Sequence, residues 1–148
     1  MRALVFSLVL AAGCGPRQTE APGPTPEPTP ADTTGAAIAF ADQADYRAQR
    51  QATERALAEA TGRAQASTVG ACRVVPTSEQ ACGGPTSFAV YSAEAPGADE
   101  VERLAARLVA MDAVANAQFE YVSTCMAYDP PTPVVRDGRC VDPSAERP

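Results

Sequence analysis

Five cysteines, Cys14, Cys72, Cys82, Cys125 and Cys140, carry most of the reactive chemistry in this 148-residue chain. A thiol can be acylated, oxidised to a disulfide or, as thiolate, act as nucleophile or metal ligand. Nucleophilic use needs a base, and the chain contains neither His nor Lys. Ser-His-Asp and Cys-His systems, histidine metal sites, Ser-Lys dyads and Schiff bases are therefore closed to it. No C-x-x-C occurs, so a thioredoxin-like redox pair and a cysteine zinc site both lack their usual spacing. Carboxylate pairs remain, but a glycosidase would need a cleft with sugar-stacking aromatics, and there is no Trp. The reading is a non-catalytic protein with no metal site and no cofactor. Its cysteines are left with acylation and cross-linking.

The N-terminus assigns the first of these roles. Arg2 gives one positive charge, residues 3–12 carry none, and small residues Ala11-Ala12-Gly13 precede Cys14. A basic start, a short apolar run and a small-residue processing site are the parts of an export signal. Ten helical residues rise only about 15 Å, half a bilayer core, so the run is no transmembrane span. Leu10-Ala11-Ala12-Gly13-Cys14 resembles the lipobox of bacterial lipoproteins, with Ala11 where Leu is commoner. The resemblance implies cleavage after residue 13, a lipid on the Cys14 thiol and fatty acyl chains such as palmitate on the new N-terminus. Gly15, rather than Asp, follows Cys14, which resembles outer-membrane more than inner-membrane destinations. The expected address is the bacterial cell envelope, with the periplasm or surface beyond the anchor.

Charge is consistent with lipid as the attachment. The formal net charge is −6, and losing Arg2 with the signal leaves eleven arginines against eighteen acids, or −7. Such a balance disfavours a nucleic-acid partner and a polybasic hold on anionic membranes alike. With Cys14 acylated, the other cysteines form an even set in an oxidising compartment, which favours two disulfides. Three connectivities are open. Cys72–Cys82 with Cys125–Cys140 is the expected one, because each pair is close in sequence and lies on one side of a helix.

These residues sit in segments of distinct character. Residues 1–13 form the signal, and residues 14–34 form the anchor with a Pro-rich linker that reads as a disordered tether. Residues 35–66 are Ala-rich without Pro, which predicts a helix with Ala37, Ala41, Ala44, Ala48, Ala52 and Ala56 along one face. Arg55 and Glu59, and Glu59 and Arg63, are spaced for i,i+4 pairing. Few large apolar residues support it, so it reads as a stalk or a loosely packed helix. A disulfide-stabilised α+β domain follows over residues 71–142, with a flexible tail at 143–148. Strands are expected at 71–75, 86–92 and 121–128, with a hairpin around Asp137-Gly138. Between them, Val101, Leu104, Leu108, Met111 and Ala115 recur at helical spacing. Asp99 with Glu102 resembles a capping box, while Glu102, Arg103 and Asp112 fall off the apolar face. The expected architecture is an antiparallel sheet with one amphipathic helix on its face.

Gly83-Gly84-Pro85 reads as a disulfide-held turn feeding a strand, and as a turn able to present backbone amides to a ligand, though no P-loop lysine follows it. With Tyr91 it makes the possible binding surface, and Tyr121 and Tyr128 are further candidates, although aromatics on strands are more often core. The acids Glu94, Asp99, Glu100 and Glu102 read as a helix N-terminus complementing its dipole. The pattern C-x9-C-G-G-P-x-x-F-x-V-Y-S, from Cys72 to Ser92 with Cys125 and Cys140 beyond, is similar to small uncharacterised secreted or lipid-anchored bacterial domains. It departs from them at Thr86 and Ser87, where a bulky aromatic is common. The resemblance implies a disulfide-held envelope module and no particular activity. The expected function is a lipid-anchored protein presenting a binding domain to an envelope protein or polymer. An inhibitor-like module built on the Cys72–Cys82 loop, and a structural subunit docking through the Ala-rich helix, are the alternatives.

Overall fold

The computed structural model describes residues 37–62 and 65–145. The signal, Cys14, the Pro-rich linker and Arg63 lie outside the described residues. The fold is α+β: helix α1 (Gln43–Thr61), strands β1 (Cys72–Pro76) and β2 (Phe88–Ser92), helix α2 (Ala98–Gln118), then strands β3 (Val134–Arg136) and β4 (Arg139–Val141).

Helix α1 begins later than its composition predicts because Asp42 caps it. The Asp42 carboxylate accepts from the Ala44 and Asp45 amides at 2.8 and 2.9 Å, and Asp45 returns the favour to Ala41 N at 3.0 Å. This satisfies amides that the first helical turn would leave orphaned. The Ala-rich stripe is not the buried face: Ala41, Ala44, Ala48 and Ala52 are exposed. The face turned inward carries Tyr46, Arg50, Thr53, Leu57 and Ala60, spaced alternately four and three residues apart. It meets α2 along Val101, Leu104, Leu108, Met111 and Ala115, all buried and at the same spacing. Phe40 is joined to Gln118 and Thr53 to Met111, so the helices run antiparallel. Helix α1 is thus a packed layer of the fold and not a free stalk.

Helix α2 starts at Gly97, whose φ of 94° is left-handed backbone that favours glycine, and no side chain caps it. The predicted Asp99–Glu102 capping box does not form, because Glu102 instead accepts the Tyr91 hydroxyl hydrogen. Asp99 and Glu100 still occupy the first turn, where negative charge suits the dipole.

The sheet is two separate ribbons. Strands β1 and β2 pair antiparallel with Cys72 opposite Ser92 and Pro76 opposite Phe88. Both contact α2, and Tyr91 enters the core with Leu57, Ala60, Val101, Leu104 and Leu108. Strands β3 and β4 form the expected hairpin, with Val135 opposite Cys140. Asp137 and Gly138 turn it with φ of 51° and 70°, the positive pair that a two-residue type I′ loop requires. The predicted strand at 121–128 is absent: Glu120 and Cys125 take φ of 52° and 54°, which interrupt an extended run, and the segment pairs with no strand.

The disulfides are Cys72–Cys140 and Cys82–Cys125, which corrects the expected connectivity. Cys72 opens β1, and Cys82 lies beyond that strand's far end. A five-residue strand carries the chain about 13 Å, more than a disulfide can span. Cys72 therefore joins the β3–β4 ribbon to the β1–β2 ribbon. Each bridge closes a long loop, with sequence separations of 68 and 43. Chain entropy gives each about 4 kcal/mol, more than short-range pairs would supply. Peptide mapping without reduction should recover these two pairs and no Cys72–Cys82 peptide. Replacing both Cys72 and Cys140 by Ala should lower unfolding free energy by about 4 kcal/mol, read by denaturant titration.

Candidate binding surface

Between β1 and β2 the chain makes a polar loop whose order comes from buried hydroxyls. Thr77 and Ser87 bond through backbone and side chain, each at 2.9 Å. Ser78, buried at 4 % exposure, accepts from the Thr86 and Ser87 amides at 2.9 Å.

The loop is then pinned to α2 by a carboxylate that the periodicity had placed off the buried face. Asp112 is 5 % exposed. Its Oδ1 accepts from Tyr46 Oη and Arg50 Nε, both at 2.8 Å, and its Oδ2 from Arg50 Nη2 at 3.3 Å and Glu79 N at 3.1 Å. Asn116, one turn on, donates to Glu79 O at 2.8 Å. One residue of α2 thus holds α1 and the loop together. Arg50 also pairs with Glu54. Its guanidinium is held charged above its ordinary range, first by hydrogen bonding to Asp112. The Tyr46 phenol is pushed up by burial and then by Asp112, while Tyr91 is pushed up to about 12 by burial and then by Glu102.

With Glu79 fixed at both backbone ends, the turn beyond it projects outward. Gln80 N donates to Gly84 O at 3.0 Å, and Gly83 N to Gln80 O at 2.9 Å. Gly84 N reaches Glu79 Oε1 at 3.1 Å. Gly83 and Gly84 have φ of 86° and 83°, which a side chain would strain. Cys82 bridges to Cys125, and Gln80 Nε2 donates to Met126 O at 2.8 Å. Together they frame a shallow depression against Gly83, Gly84, Pro85, Met126 and Tyr128. None of its lining side chains is charged, and Met126 and Tyr128 are 56 % and 45 % exposed. Val122, on the same segment, is 95 % exposed.

The sequence-predicted surface is therefore divided. Gly83, Gly84 and Pro85 line the depression with Tyr128, whereas Tyr91 is 2 % exposed and belongs to the core. Tyr121 stacks in a cluster with Tyr46 and Phe119, at ring distances of 6.4 and 5.7 Å. Of the acids, Glu94 accepts from Ser67 and Glu100 pairs with Arg103. Met126 and Val122 were missed, their exposure being hidden behind an apparent strand. Asp112 and Arg50 were missed as well, although the alternating four-and-three spacing of Tyr46, Arg50, Thr53 and Leu57 marks the face.

Among the described residues, no helix is long and apolar enough to cross a membrane. No family model, curated protein or solved structure matches the chain.

Asp112→Ala removes the acceptor of Tyr46, Arg50 and the Glu79 amide while Arg50 keeps Glu54, so it should lower stability by about 1.5–3 kcal/mol in denaturant titration. Phenols held neutral in the fold, but free to ionise near pH 10 when unfolded, add stability that is whole below pH ~10. That part should fade as pH rises from there through about 12, the Tyr91 value. Unfolding free energies across this range, with phenolate absorbance followed in parallel, check it.

Proposed function

We propose that this chain is a lipid-anchored protein of the bacterial cell envelope that presents a non-catalytic binding domain. The lipobox-like Leu10–Cys14 segment supports the anchor, and Gly15 favours an outer-membrane address. A partner is an envelope protein or polymer met through the uncharged depression at Gly83-Gly84-Pro85. The observation that carries the binding role is the exposure of Met126 and Tyr128 beside a turn whose backbone is fixed by buried bonds. Ordering a surface before contact lowers the entropy that association must overcome.

The alternatives are less well supported. An inhibitory Cys72–Cys82 loop has no closing bond, because those cysteines belong to different bridges. Docking through α1 would have to use the exposed Ala face, since Leu57 and Ala60 pack inward.

Two arms test the proposal in intact cells. A metabolic lipid label should mark the wild type and leave Cys14→Ser unmarked, and equal marking refutes the anchor. A photo-crosslinker at position 128 should give a discrete adduct that one at exposed position 48 does not. Indistinguishable adducts from both positions, or none from 128, refute the binding surface.

A further inference from the structure

The two disulfides occupy opposite environments. Cys72 and Cys140 are each 7 % exposed and sit in a cluster with Ala66 and Ala71. Cys82 and Cys125 are both exposed. Thiol–disulfide exchange needs in-line approach of a thiolate to sulfur, so access selects between bridges. Cys125 also takes a φ of 54°, left-handed backbone that a side chain rarely adopts. Ser123 Oγ lies 2.8 Å from Cys82 Sγ.

What each bridge restrains differs as well. Among the described residues, no backbone–backbone hydrogen bond holds residues 122–133, which lie between Tyr121, bonded to Asn116, and strand β3. The bridge, the Ser123 contact and the Gln80–Met126 bond tie them to the β1–β2 loop. The loop on the other side keeps its own anchors to Asp112 and Asn116. Opening this bridge would therefore release one segment and leave the other in place.

We propose that Cys82–Cys125 is a thiol–disulfide exchange site acted on by a dithiol reductant, and that its opening frees residues 122–133 while the Cys72–Cys140 bridge and the helical fold persist. One thiolate of the reductant attacks Cys125 Sγ, forming a mixed disulfide and breaking the bond to Cys82. Cys82 leaves as thiolate, accepts the Ser123 hydroxyl bond and is protonated by solvent. The second thiol of the reductant, deprotonated, attacks its partner sulfur in the mixed disulfide and releases Cys125 as a thiolate, which solvent then protonates. The protein gains two electrons and two protons, and the reductant departs as a cyclic disulfide. The proposal does not depend on the surface having a binding partner.

The test uses the native full chain with dithiothreitol as the probe, sampled over time by alkylation and peptide mass spectrometry. Cys82 and Cys125 should become alkylated at least ~10-fold sooner than Cys72 and Cys140, as the difference in access requires. At that stage far-ultraviolet dichroism should be unchanged, and chymotrypsin should cut within residues 122–133 faster than in the oxidised protein. Ser123→Ala should slow opening without altering which bridge opens first. The doubly substituted Cys82→Ser, Cys125→Ser chain should show the fast cleavage without reductant. Simultaneous opening of both bridges, earlier opening of Cys72–Cys140, or cleavage indifferent to reduction would overturn the proposal. An unchanged rate in Ser123→Ala would overturn the assignment of Cys82 as leaving group.

Discussion

The buried carboxylate of Asp112, on α2, joins α1 and the β1–β2 loop, between which no backbone hydrogen bond runs among the described residues. It receives Arg50 and Tyr46 from α1 and the Glu79 amide from the β1–β2 loop. Taking a carboxylate out of water costs several kcal/mol, and only a full set of donors offsets that cost. Here every part of the cost is met by a group with a structural task. The guanidinium contacts both carboxylate oxygens, which fixes its plane, so the pair sets the register of α1 against α2 as well as their attraction. A hydrophobic pair at that place would tolerate sliding by a turn. This one does not.

The remaining elements act around that junction. Among the described residues, apolar burial is divided among three small clusters: Leu57 with Leu104 and Leu108, Phe40 with Met111 and Ala115, and the Cys72–Cys140 group. None is a large core, and domains of this size commonly rely on cross-links. The Cys72–Cys140 bridge ties the two ribbons together, and Cys82–Cys125 ties the irregular segment to the loop that Asp112 holds. The candidate surface is thus built outward from a buried carboxylate and its part-buried guanidinium: carboxylate, Glu79 backbone, Gly83-Gly84 turn, bridge, then Met126 and Tyr128.

How much of this was legible follows from range. Local signals served well: α2 was visible in Val101 to Ala115, and the hairpin in Asp137-Gly138, because each is decided within a few residues. The α+β class followed from them. Composition misled for α1, where alanine favours helix without saying which side is buried, and the informative stripe included Arg50 and Thr53. Disulfide partners depend on strand pairing far apart in sequence, so nearness along the chain was the wrong guide. Tyr91 could be read as surface or as core, and only the packing of β2 on α2 decides for core. The Gly83-Gly84-Pro85 turn was readable as a turn, but its neighbours, Met126 and Tyr128, reach it only through Cys82–Cys125.

If the Arg50–Asp112 pair fixes the helix packing, its two members should be strongly coupled. The direct measurement is a double-mutant cycle in denaturant unfolding, using Arg50→Met, Asp112→Asn and the double substitution. A coupling of at least ~1.5 kcal/mol, with the double variant less destabilised than the single effects sum to, is the predicted result. A coupling below ~0.5 kcal/mol, typical of solvent-exposed pairs, would contradict the account.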